Sequence, residues 1–197
     1  TLGNVTASGN LDATAATDLA LNGTINVDSL DLESTGGAIS QGADSTLTVA
    51  TGPTNLDAAG AITLDKANDF NGTVNVLGGT DVTLNDTDDL TLGNVTAAGN
   101  LDATAATDLA LNGTINVDSL DLEATNGAIS QNANSTLTVA SGPTTLSAGQ
   151  SITLDQANDF NGDIDVLDGV VNVLTGTDVI LNDSDDLRLG DVDVTGR

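Results

Sequence analysis

The chain has 197 residues, of which 39 % are hydrophobic but only 1 % aromatic, and it contains no Cys, Met, Trp, Tyr or His. Its formal charge is −26, with Lys66, Arg188 and Arg197 as the only cationic side chains, which excludes nucleic-acid and anionic-membrane binding through Lys and Arg clusters. Imidazole acid–base catalysis and thiol nucleophiles are excluded within this stretch, and no apolar run approaches the roughly 20 residues of a membrane helix.

The first regular element is the alternating segment Asp18-Leu19-Ala20-Leu21. Ile25 and Val27 follow with the same period, then Leu30 and Leu32. The pattern starts again at Ala38-Ile39-Ser40-Gln41, with Leu47 and Val49 and then Leu56 and Ala58. It recurs at Ala61-Ile62-Thr63-Leu64, followed by Val74 and Val76, and at Asp81-Val82-Thr83-Leu84. The heads of these segments are spaced by 20, 23 and 20 residues, and a further 27 lead to Asp108-Leu109-Ala110-Leu111. A period of two is the strand period, and Gly recurs throughout with at most 14 residues between successive glycines, which disfavours helices. Three short strands per rung of 20–27 residues predict an all-β parallel β-helix, a solenoid of about 8–9 rungs. With strands ~4.8 Å apart it forms a rod roughly 40 Å long. Inward Leu, Ile and Val would each contribute about 1.5–3 kcal/mol when fully buried.

A longer repeat contains this one. Residues 1–72 match 91–162, with 12 of 72 positions differing. After Leu77 and Leu167 the second copy carries seven extra residues, and the match resumes at Thr80 and Thr177. The expected organisation is a single domain over 1–197, built of copies 1–90 and 91–187 with the start of a third at 188–197. It reads as a fragment of a longer array, with the insertion near 168–174 expected to form an exposed loop. The register predicts an outward column of Ala20, Ser40, Thr63, Thr83, Ala110, Ser130, Thr153 and Ile180, with Asp81 and Asp108 on successive rungs. Asn22, Gly42, Asp65, Asn85, Asn112, Asn132, Asp155 and Asn182 follow the first strand of each rung. These residue types suggest tight corners of left-handed backbone.

The stretches Gly60-Ala61-Ile62-Thr63-Leu64, Ala67-Asn68-Asp69-Phe70-Asn71-Gly72 and Asp89-Leu90-Thr91-Leu92-Gly93-Asn94-Val95 resemble the repeat regions of filamentous-haemagglutinin-like exoproteins, adhesins exported by two-partner secretion. The resemblance implies a right-handed parallel β-helix, a secreted or bacterial cell-surface location, and a stalk or adhesive role. Its partners would be a host or neighbouring-cell receptor or the extracellular matrix. It carries over no catalytic residues.

Chemistry is sparse beyond that. Acidic residues gather at Asp86, Asp88 and Asp89 and again at Asp183, Asp185 and Asp186, with Asp163, Asp165 and Asp168 between them. Paired carboxylates on an exposed acidic surface do not by themselves keep one carboxyl protonated for glycoside hydrolysis. Lys66, a candidate lyase base, is replaced by Gln156 in the second copy. No enzymatic activity is expected. Calcium takes six to eight oxygen ligands, so Asp86, Asp88, Asp89, Asp183, Asp185 and Asp186 are candidate ligands of a weak calcium site, and no other cofactor is expected. The outward column is no regular Thr ladder, which argues against ice binding. Phe70 and Phe160 share the context Asn-Asp-Phe-Asn-Gly and are expected to plug the core at a corner. Asn71 begins an Asn-Gly-Thr glycosylation sequon, whereas Asn161 in Asn-Gly-Asp does not. The expected function is a structural or adhesive shaft. The alternative is a self-assembling filament or matrix protein, head-to-tail and stiffened by calcium.

Overall fold

The computed structural model describes residues 1–160, 171–175, 178–184 and 189–192. The described residues contain strands, turns and bends but no helix. The first copy forms β1 (Val5–Thr6), β2 (Asn10–Ala15), β3 (Leu19–Leu21), β4 (Thr24–Val27), β5 (Ser29–Ser34) and β6 (Ile39–Gln41). It continues with β7 (Thr46–Val49), β8 (Thr54–Ala58), β9 (Ile62–Phe70), β10 (Thr73–Gly78) and β11 (Val82–Asp86). The second copy begins at β12 (Leu90–Thr96), β13 (Asn100–Ala105), β14 (Leu109–Leu111), β15 (Thr114–Val117), β16 (Ser119–Ala124) and β17 (Ile129–Gln131). It ends with β18 (Thr136–Val139), β19 (Thr144–Ala148), β20 (Ile152–Phe160), β21 (Val171–Thr175), β22 (Val179–Asp183) and β23 (Leu189–Val192).

These strands build a parallel β-solenoid with two walls. The chain crosses from one wall to the other at every half-turn. Wall one is a 12-stranded sheet stacked as β1, β3 with β4, β6 with β7, β9, β11, β13, β16, β19, β21 and β23. Wall two is an 11-stranded sheet stacked as β2, β5, β8, β10, β12, β14 with β15, β17 with β18, β20 and β22. Wall two climbs about eight turns from β2 to β22. Within each copy one wall is straight, with a single strand per level, and the other is bent into two short strands or one long one. The predicted three strands per rung are therefore one straight and two bent, with β9, β12 and β20 running through the bend without a break. Alternation fills the core: Val82, Leu84 and Asp86 of β11 point inward while Thr83 and Asn85 face out. The rings of Phe70 and Phe160 are both buried at the last residues of β9 and β20, where the chain turns to the other wall.

The long repeat and the turn are out of step. From Leu19 the stack runs through Ile39, Ile62 and Val82 to Leu101, which makes four turns. Leu109, the copy of Leu19, lies eight residues past Leu101 and on the opposite wall. The 90-residue unit is thus four and a half turns. Every strand of the second copy stands across the core from its twin.

This half-turn corrects the predicted column. Ala20, Ser40, Thr63 and Thr83 do stack, but the next residues above them are Asp102, Asp121 and Thr145. Ala110, Ser130, Thr153 and Ile180 form a separate column on wall two, above Thr91. Asp81 and Asp108 are likewise not neighbours: Asp81 lies under Asn100, and Asp108 sits on Asp89. The 27-residue spacing between them holds a turn and a half, which a count of segment heads reads as one long rung.

Two further expectations change. The corners use almost no left-handed backbone: among the described residues only Asn134 has a positive φ (69°), and no glycine does. Of the insertion near 168–174, residues 171–174 belong to wall strand β21 rather than to a loop. Asp168 and the rest of it lie outside the described residues.

Candidate functional site: corner locks and two acidic faces

The Asn and Asp side chains that the corners collect act between turns. Asp81 reaches up one turn, and its Oδ1 accepts the backbone N–H of Asn100 at 3.0 Å. Gly99 makes room for it, since a Cβ there would fall on the Asp81 carboxylate. The same lock joins Asn4 to Thr24 past Gly23, Asp18 to Ala38 past Gly37, and Asn75 to Asn94 past Gly93. In the second copy Asn94 holds Thr114 past Gly113, and Asp108 holds Ala128 past Gly127. Glycine is needed here for close approach, not for its backbone freedom. Each lock gives an acceptor to an N–H at or next to the start of a strand, or inside β12 in the case of Asn94, a net contribution of about 0.5–1.5 kcal/mol or more where the acceptor is charged.

Of the predicted cation ligands in the first corner, Asp86 turns inward while Asp88 and Asp89 turn outward. Asp86 is buried, at 2 % exposure, and points into the core above Asn68. Its Oδ1 accepts the N–H of Asp88 at 3.2 Å and its Oδ2 that of Phe70 at 3.4 Å. Burial pushes its carboxyl up to about 6, against these N–H donors, and the charge of Asp69 adds to the rise. Asp88 and Asp89 face solvent. Asp89 takes the hydroxyl of Thr107 and the N–H of Asp108, which together hold its carboxyl below the usual range. In the second copy Asp183 Oδ1 accepts the N–H of Phe160 at 3.3 Å and of Ser184 at 2.8 Å. Asp185 and Asp186 lie outside the described residues. Among the described residues no three carboxylates are grouped to hold a metal ion.

Two outward acidic faces were hidden by the wrong column. On wall two Asp12 stacks under Asp31, and Glu33 under Asp57. These four carboxylates line a shallow groove beside Leu77, which is 60 % exposed. Amides thread the face: Asn10 and Asn55 donate to the two oxygens of Asp31 at 2.7 and 2.6 Å, and Asn75 donates to Asn55 at 2.9 Å. On wall one the twins Asp102 and Asp121 stack with Glu123 beside them. Partial burial, and then the neighbouring carboxylates, raise the carboxyls of both Asp102 and Asp121. An acidic outward face offers attraction to cationic groups.

Sequence reasoning also missed an inward-facing amide pair, with Asn68 buried and Gln41 half-buried. Gln41 and Asn68 exchange two hydrogen bonds inside the bend, at 2.6 and 3.0 Å, and Asn68 also donates to the carbonyl of Leu64. Gln131 and Asn158 repeat the arrangement on the other wall. The signal was present, because Gln41 stands at an inward position of its strand's alternation.

A family model described as repeats of unknown function (DUF5649) matches residues 9–77, 79–119 and 104–167. The chain belongs to this repeat family. Its first and third matches fall on the two twin copies, and the second spans the half-turn where the DUF5649 repeats change walls. No curated protein and no solved structure matches the chain.

Proposed function

We propose that the chain is a length of stiff shaft from a secreted or bacterial cell-surface exoprotein of the filamentous-haemagglutinin-like kind, serving attachment or spacing. Its partner would be a receptor on a host or neighbouring cell, or the extracellular matrix. The observation that carries this reading is the seam between copies. Leu101 and Ala103 of β13 stack on Val82 and Leu84 of β11, and all four are buried. One core runs through the boundary without a break, so a unit lengthens the rod without redesign of what lies below it. Each unit adds four and a half strand spacings, roughly 22 Å, and turns the next unit's faces to the opposite side.

Small-angle scattering of this chain and of a variant with one more 90-residue unit tests the reading. The expected result is a rod that lengthens by about 22 Å at constant cross-section. A compact particle, or an added unit that thickens the rod, would remove it. The self-assembling filament is the second reading, because the parallel ladder that joins Leu101 and Ala103 to Val82 and Leu84 would join chain to chain by the same contacts. Growth along one axis with concentration would favour it.

A further inference from the structure

Asn22, Asn71, Asn112, Asn126 and Asn161 each precede a glycine. In that setting the following nitrogen is unhindered and can attack the asparagine's own side chain. The Gly nitrogen bonds to Cγ and gives up its proton, and the side-chain nitrogen leaves as ammonia. Water then opens the resulting five-membered imide at either carbonyl, giving aspartate or its backbone isomer isoaspartate. No other reactant is needed.

We propose that Asn22 is a site of this spontaneous modification and that its sequence twin Asn112 is protected by Asn132. Residues 9–33 and 99–123 are identical, so sequence does not distinguish the two sites. Their local backbones match as well. Asn22 N donates to Leu2 O at 2.8 Å and Asn112 N to Leu92 O at 2.7 Å. Gly23 O accepts from Thr46 N and Gly113 O from Thr136 N. The residue one turn above differs. Over Asn112, the Asn132 amide donates to Oδ1 at 2.9 Å and ties the side chain to the turn above. Over Asn22 stands Gly42, which has no side chain to donate. Of the other Asn-Gly sites, Asn71 is tied to Asp69, and Asn126 to the carbonyl of Ala106 at 2.9 Å. Asn161 lies outside the described residues. Formation of isoaspartate at Asn22 would add a methylene to the main chain just before Ile25 and Val27, both buried in the core.

Releasing one hydrogen bond before the attack slows the step by about two- to tenfold. Peptide mapping by mass spectrometry, with isoaspartate detection, reads both sites in one sample of the native chain aged at mildly alkaline pH. The expected result is conversion at Asn22 two- to tenfold faster than at Asn112, with equal rates when the chain is aged in denaturant. Asn132→Gly should bring Asn112 up to the rate of Asn22, and Gly42→Asn should slow Asn22. Native Asn112 keeping pace with Asn22 would overturn the proposal. So would a rate difference that survives in denaturant, where the twins share the same surroundings.

Discussion

The two copies pose a natural experiment: residues 9–33 and 99–123 are the same string, yet they occupy opposite walls with different neighbours. Asp31 in the first copy receives amides from Asn10 and Asn55. In its twin Asp121 the amide from above is lost, because Thr145 replaces Asn55, and burial and nearby carboxylates push its carboxyl up. In a solenoid the residue one turn away decides what a side chain does, and that residue comes from elsewhere in the sequence. Identical segments are therefore not equivalent sites.

The largest expected difference between twins is in the core. Leu101 is fully buried between Val82 below and Leu120 above, so Leu101→Ala should cost about 2–5 kcal/mol in denaturant unfolding. Leu11 is only partly covered, and Leu11→Ala should cost about 1 kcal/mol. Equal losses would mean that the two copies unfold as unlinked pieces and that the continuous core across the seam is wrong.

Strand positions, the parallel solenoid and the inward Leu, Val and Ile were legible because alternation is local. Asp86 could also have been read as inward, since it continues the parity of Val82 and Leu84. The assignment of segments to walls was not legible. Stacked residues lie 18 apart at Thr73 and Thr91 but 27 apart at Ile152 and Val179, so no single period separates one turn from one and a half. The role of the corner Asn and Asp residues was hidden for the same reason. A left-handed corner and an inter-turn acceptor call for the same residue types, and only the partner one turn above tells them apart.

A second, smaller effect follows from the buried Asp86. Its carboxyl is raised to about 6, so the folded state holds a proton that the unfolded state has released above roughly pH 4. The stabilisation is fully present below that unfolded value and is lost as pH rises through about 6. Asp102 and Asp121 shift in the same direction. The chain should therefore melt higher at pH 5 than at pH 8, and Asp86→Asn should flatten much of that slope. The variant should gain at most about 3 kcal/mol at pH 8 relative to the parent. An unchanged slope would place the origin in the outward faces instead. The Asp102→Asn and Asp121→Asn pair then locates it on the second copy.

The lock pair gives the next effect. Gly99→Ala forces the Asp81 carboxylate aside and breaks its bond to Asn100, at a cost of about 1–3 kcal/mol. Gly9→Ala meets nothing within 4 Å and should leave the melting temperature unchanged. If Ala is tolerated equally at both, the locks follow from the stacking and do not help to hold it.

Calcium should produce the smallest change of all. Of the first three predicted ligands, Asp86 is turned into the core and Asp89 already holds two donors, which leaves Asp88 as the freest carboxylate. An ion needing six or more oxygens would have to draw most of them from water. At a calcium concentration near its dissociation constant, such a site adds about 0.4 kcal/mol, a melting shift of about 1 °C for a chain of this length. The comparison sharpens with Asp88→Asn and Asp89→Asn together. If a larger shift disappears in that variant, the first corner is a specific site after all, closed by groups that the ion itself rearranges. If the shift is small and survives, calcium acts by screening a surface of charge −26, and both copies respond alike despite standing on opposite walls.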